Sequence, residues 1–162
     1  MTDKAPRQTR GRDTGTGRNY EMLIAAALAI GKLEWQQQAD VGLAPTGKRH
    51  RVDYVAWKPG EPDRKVLVSC KVQNTSGTAE EKLPFEIIKL LYTMQQHPEY
   101  VKAYLIMGGT GFDARMVQFV RNGLKDFIRS AEAVTILNTD ELITKGITVP
   151  PDDPSAAVPS PP

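Results

Sequence analysis

Apolar positions recur at helical spacing over Asn19 to Gly31, where Leu23, Ile24, Ala27, Leu28 and Ile30 form one surface, Asn19 is placed to cap and Gly31 to stop. A less regular extended stretch follows from Trp35 to Leu43. His50 to Trp57 reads as a strand, the breaker-rich segment Lys58 to Asp63 turns the chain, and Lys65 to Gln73 alternates as a second strand, so the two predict a hairpin. Thr78 with Glu81 has capping-box spacing, and Pro84 sets a regular helix from there to about Gln96, before Pro98. Val101 to Met107 is nearly continuous in apolar residues, as a central strand covered on both faces would be. After Gly108 to Gly111 the spacing predicts a helix capped by Asp113 and running to about Arg129. Its inner side is formed by Met116, Val117, Val120, Leu124, Phe127 and Ile128, and Ala133 to Leu137 is a last strand. The predicted order is helix, three strands, helix, strand, helix, strand. This is an α/β domain with a central mixed β-sheet flanked by helices.

The 162 residues suit one domain, and 40% hydrophobic with 25% charged residues is an ordinary globular composition. Two ends fall outside it. Residues 1–18 have no large apolar side chain beyond Met1 and carry five basic against two acidic groups, an expected disordered basic arm. Val149 to Pro162 holds six of the twelve prolines and reads as a tail without a fold, which leaves 19–148 as the folded domain. The longest apolar run, Met22 to Ile30, is far short of the ~20 residues of a membrane span. With one cysteine and no signal-like leader, the expected setting is a reducing cytoplasm, with no membrane partner. A net charge of +2 permits nucleic acid as a partner without demanding it.

Chemistry concentrates on the hairpin. Side chains alternate along a strand, so Leu67, Ser69, Lys71 and Gln73 share one face, while Val66, Val68, Cys70 and Val72 share the other, expected to be core. Cys70 on that face is a small core residue rather than a nucleophile. If Trp57 lies across from Lys65, the register sets Asp53 across from Ser69 and diagonal to Lys71. A carboxylate able to hold a dication beside a lysine able to orient or deprotonate water is the minimum for metal-assisted phosphodiester hydrolysis. A cross-strand ion pair on a solvated face has the same spacing.

Glu21 on the first helix, Asp53 in RVDYVAW, Ser69-Cys70-Lys71 sixteen residues after it, Gln73, and the following helix opening SGTAEEKLPFE together resemble the PD-(D/E)XK nuclease superfamily, of restriction-endonuclease-like fold. The element order also resembles that family's, from about Asn19 to Leu137. The resemblance implies an Mg²⁺-dependent DNA endonuclease, restriction-like or junction-resolving, with Mn²⁺ as a substitute and a homodimer for two-strand cutting. It assigns Asp53 as primary metal ligand, the Cys70 backbone carbonyl as another, Lys71 as the residue positioning water, Glu21 as an outer carboxylate and Gln73 as support for a phosphate or the lysine. Ser69 departs from the pattern, because the family has Asp or Glu there and a hydroxyl is a poor ligand for a hard dication. Some members supply the missing acid from the following helix. Here Glu80 or Glu86 is in reach, 9 and 15 residues after Lys71. The alternative is a catalytically impaired DNA-binding protein on the same fold.

Lys48, Arg49 and Arg51, abutting Asp53, and Arg7, Arg10 and Arg12 in the arm are expected phosphate contacts, with Arg115 and Arg121 as further basic candidates. His50 and His97 stand without acid or Cys at zinc-ligand spacing. Gly108, Gly111 and Ala114 match part of a dinucleotide-binding loop, which offers a nucleotide-binding α/β module as a third reading. A tight strand-to-helix turn using glycine for positive φ is the simpler account.

Overall fold

A computed structural model describes residues 15–75 and 80–152. Five strands, β1 (Glu34–Leu43), β2 (Arg49–Trp57), β3 (Lys65–Val72), β4 (Tyr100–Gly108) and β5 (Val134–Asn138), form one sheet in that spatial order. β1–β2 and β2–β3 are antiparallel, β3–β4 and β4–β5 parallel. Helices α1 (Gly15–Ile30) and α2 (Lys82–Gln96) cover opposite faces, while α3 (Ala114–Gln118) and α4 (Thr139–Lys145) follow β4 and β5. The mixed sheet between helices matches the α/β class expected. Among the described residues no helix is long and apolar enough to cross a membrane.

Burial explains the layering. Ile24 and Leu28, one turn apart on α1, pack with Tyr54, Val66, Val68, Tyr104 and Ile106. Leu83, Ile87, Leu90 and Met94 of α2 pack with Val55, Leu67, Leu105 and Met107. Alternate residues of β3 and β4 therefore enter different cores, which is why both strands read as apolar runs. The face carrying Leu67 and Ser69 was expected to lie outside the core; α2 roofs it, and both residues are buried.

Several expected boundaries move. α1 begins at Gly15 rather than Asn19, and Ile30, expected on its apolar surface, is exposed at the end of the helix. Asp113 caps α3 as expected, accepting from the Arg115 and Met116 amides at 2.9 and 3.3 Å. That helix stops at Gln118, however, and passes into a π turn over Phe119–Gly123 and a 3₁₀ turn over Leu124–Asp126. The widened turn breaks the 3.6-residue period, so Val120 and Leu124 are buried whereas Phe127 points outward. α4 was not anticipated; its signal is Asn138 three residues before Glu141, which form a reciprocal capping box. Ordered packing also continues past the expected end at 148. Val149 is buried, and Arg64 donates to the Pro150 and Pro151 carbonyls at 2.9 Å and pairs with Asp152.

The glycine loop after β4 is a tight connection. Gly109 has φ +86°, and a Cβ there would lie 2.3 Å from the Gln73 carbonyl oxygen. Gly109→Ala is expected to cost about 3 kcal/mol, combining left-handed strain with a clash against backbone. Urea unfolding would measure it, and a loss below about 1 kcal/mol would show that the loop gives way freely.

Candidate active site

β2 does not follow a simple alternation. Val52 joins the α2-side core and Tyr54 the α1-side core although they are two residues apart, so the strand twists at Asp53. Across on β1, Gln38 has φ +51°, and the pairing passes from Gln37↔Tyr54 to Ala39↔Val52 without a 38↔53 pair. On the other side the β2–β3 ladder runs from Trp57↔Lys65, the expected register, to Tyr54↔Val68 and ends there. Asp53 is the first residue beyond it. With no β2 backbone partner, the Cys70 amide donates instead to Asp53 Oδ2 at 2.6 Å. Since the N–H and C=O of a strand residue face the same edge, the Cys70 carbonyl faces that edge too. Among the described residues, Asp53 Oδ1 has only a 3.4 Å contact from Gln38 Nε2, leaving acceptor capacity.

On the α2 side, Ser69 Oγ donates to Glu86 Oε1 at 2.7 Å, and Lys71 Nζ lies 3.4 Å from Glu86 Oε2 and 3.5 Å from Ser69 Oγ. Lys89 Nζ is 2.5 Å from the same Oε2. His50 Nε2 sits 3.8 Å from Oε1, a close electrostatic contact beyond hydrogen-bond length, while its Nδ1 is 2.9 Å from Thr93 Oγ1. Burial acts most strongly on Glu86 and opposes its charge. His50, Lys71, Lys89 and Ser69 together outweigh it and hold the carboxyl below the usual glutamate range. Glu86 is thus a buried, ionised carboxylate at the position where the strand itself offers only Ser69.

Of the two candidate glutamates, only Glu86 arrives here. Glu80 accepts from the Asp113 amide at 2.6 Å and faces Gln73 Nε2 at 3.5 Å, so it ties the glycine loop to the end of β3. Gln73 is likewise turned away from the role expected for it. Its Nε2 donates to the Gly111 carbonyl at 2.9 Å, which makes it a brace for the loop rather than for Lys71. The same geometry counts against the nucleotide-binding reading. The loop amides that would cradle a phosphate are engaged, Gly109 N–H by Tyr20 Oη at 2.6 Å and Gly111 N–H by the Gln73 carbonyl at 2.7 Å.

Glu21 lies on the α1 side, its carboxylate accepting from Gln37 Nε2 at 3.3 Å and its carbonyl from Tyr54 Oη at 2.8 Å. Its charge and that of Asp53 reach the same two neighbours. The Tyr54 hydroxyl and the Cys70 thiol are each pushed up to about 12, mainly by burial and further by both carboxylates. A thiol so suppressed is no nucleophile, in keeping with its place beside the α1-side core. Of the basic residues, Lys48, Arg49 and Arg51 are exposed, Arg49 also pairing with Asp40, while Arg121 is half-buried against Glu141. Arg7, Arg10, Arg12 and Thr78 lie outside the described residues.

Sequence reasoning missed His50, Lys89 and Thr93. His50 looked isolated because its partners are 36 to 43 residues away; the available signal was the i, i+3, i+7 spacing of Glu86, Lys89 and Thr93 on one side of α2.

Asp53 engages the Cys70 amide and Glu86 the Ser69 hydroxyl, on consecutive residues of β3, and with the Cys70 carbonyl these are oxygen donors of the kind a hard dication takes. Among the described residues, no three of His, Cys, Asp and Glu cluster as a ready ligand shell. Mg²⁺ is commonly held by one or two carboxylates plus water, so this donor set fits it. Lys71 beside Glu86, with Asp53 on the adjoining strand where β2 and β3 part, sits on a helix-flanked mixed sheet. The model of a family described as a PD-(D/E)XK nuclease superfamily domain matches residues 12–147, and the chain belongs to that superfamily. No curated protein and no solved structure matches the chain.

Proposed function

We propose that this nuclease-superfamily protein is an Mg²⁺-dependent DNA endonuclease in which Glu86 serves as the second acid in place of Ser69. The observation that supports this reading best is the Glu86 carboxylate, delivered by α2 onto Ser69 at 2.7 Å and beside Lys71 at 3.4 Å. Asp53, the Cys70 carbonyl and Glu86 would hold the ion. When bound, the ion supplies charge to the scissile phosphate and lowers the pKa of water.

The remaining work belongs to the chain. Lys71 is anchored at Glu86 yet one-third exposed, so its ammonium is positioned to orient an attacking water from the solvent side. Ser69 fixes one carboxylate oxygen of Glu86, and His50, itself oriented by Thr93, flanks the same oxygen. Glu21, one layer further out, would act through water. Lys48 and Arg51, exposed on the β2 side, suit phosphate contacts. Cutting both strands would take two such sites, and hence a homodimer.

The purified protein is expected to nick supercoiled plasmid in Mg²⁺ or Mn²⁺ and to be inert in excess chelator. DNA binding without metal-dependent cleavage would overturn the enzyme reading in favour of an inactive DNA-binding protein on this fold.

A further inference from the structure

Beyond the loop braced by Glu80, the π turn creates a surface that the hydrolytic site does not use. Arg115, Gln118, Phe119, Asn122 and Gly123 line an open groove there. Its lining offers a guanidinium, two carboxamides and a phenyl ring, and no carboxylate. Phe127 stands next to Phe119, ring centroids 6.0 Å apart and tilted by 51°. Phe127 is 77% exposed and Phe119 39%, an aromatic pair left in water where the helical period would have buried Phe127. Gly123 is part of the arrangement. A Cβ there would lie 2.9 Å from Phe119 Cδ2, so the missing side chain is what lets that ring lie across the turn.

We propose that this groove is a stacking site for an unpaired nucleobase, so that the protein engages nucleic acid with a single-stranded segment next to the point of cleavage. Exposed aromatic faces accept any base by stacking, carboxamides hydrogen-bond to base edges that pairing would hide, and an arginine takes the adjoining phosphate. Duplex DNA keeps its base faces stacked and has nothing to offer the two rings. The location suits such a role, because Asp113, which caps α3, is tied through Glu80 and Gln73 to the end of the strand that bears Lys71. The choice of nucleic acid as ligand rests on the nuclease reading above, whereas the measurement below does not need catalysis.

The test uses the full chain in chelator, so that no strand is cut. A single-stranded oligonucleotide carrying 2-aminopurine is titrated and compared with the same sequence as a blunt duplex. Wild type is expected to bind the single strand and alter the probe's fluorescence on stacking. Phe127→Ala should weaken single-strand binding by roughly ten- to a hundredfold, the range one stacked ring supplies, while Phe127→Trp retains it and duplex binding is unchanged. Asn122→Asp, at an exposed position, should weaken it as well by placing a carboxylate in the groove. Unchanged single-strand affinity in Phe127→Ala and Asn122→Asp would overturn the proposal. So would a fall in duplex and single-strand binding by equal factors, or a shift of Phe127→Ala from dimer to monomer in sedimentation with oligonucleotide affinity intact, which would make the patch a contact between copies. A protein that binds the single strand as described yet cuts nothing would refute the endonuclease reading and leave this site standing.

Discussion

Glu86→Gln is expected to reduce metal-dependent cleavage by at least about a hundredfold, and Glu80→Gln to leave it close to wild type. Both substitutions keep side-chain volume and remove one negative charge, so the difference between them isolates where that charge sits. At position 86 the carboxylate faces Ser69, Lys71, Lys89 and His50 in a buried setting, and an amide cannot balance the two ammonium groups or serve a dication as well. At position 80 the group accepts from the Asp113 amide and, at longer range, from Gln73 Nε2, and a glutamine oxygen can still accept from both. Asp53→Ala should match Glu86→Gln in cleavage. Gel-shift affinity for DNA in chelator should survive in both, since neither side chain belongs to the basic surface. Initial rates on a plasmid substrate decide it. Equal rates for Glu86→Gln and wild type would reduce Glu86 to a structural counter-ion for two lysines and remove the central support of the proposed mechanism.

How far the sequence carried these conclusions differs between backbone and site. The hairpin was legible because alternation and breakers fix both its strands and its turn, and the Trp57↔Lys65 register then follows. The strand after α2 was legible from its unbroken apolar run. The twist at Asp53 was not, because nothing in RVDYVAW marks the exchange of faces; it depends on Gln38, a non-glycine residue at positive φ on a neighbouring strand. The third helix failed for a local reason, since a π turn differs from a regular one by a single residue that periodicity does not register. For the proposed site, Asp53, Lys71 and a helix-borne acid were legible as candidates from spacing. The choice between Glu80 and Glu86 was not, because Thr78 and Glu81 suggested a cap in this region, whereas α2 starts at Lys82 with no side-chain cap from Glu81. Only the facing of α2 shows that Glu86, and not Glu80, lies against Ser69. Gln73 misled for the opposite reason: two residues beyond Lys71 is on the right face of an ideal strand, but β3 ends at Val72 and the chain has already turned towards Gly111.

If the second acid has moved from strand to helix, moving it back should work. Ser69→Glu alone is expected to harm the protein, because Ser69 is 1% exposed and its hydroxyl already touches Glu86, so a second carboxylate would share a buried site with the first. Two such groups cannot both ionise cheaply, and cleavage and stability should fall together, the latter by about 2–4 kcal/mol. Glu86→Ser alone leaves Lys71 and Lys89 without their acid and should be as inactive as Glu86→Gln. The double variant Ser69→Glu/Glu86→Ser keeps the same two side-chain types and the same net charge. It restores the acid two residues before Lys71, where the family carries it, with a hydroxyl facing it from α2. Cleavage by the double variant is therefore expected to exceed that of Glu86→Ser by about tenfold or more, a coupling of opposite sign to the damage done by Ser69→Glu alone. Four proteins, one plasmid assay and one urea series complete the cycle. A double variant no faster than Glu86→Ser, though folded to wild-type stability, would mean that Glu86 acts through its place on the helix and not as the displaced partner of Asp53.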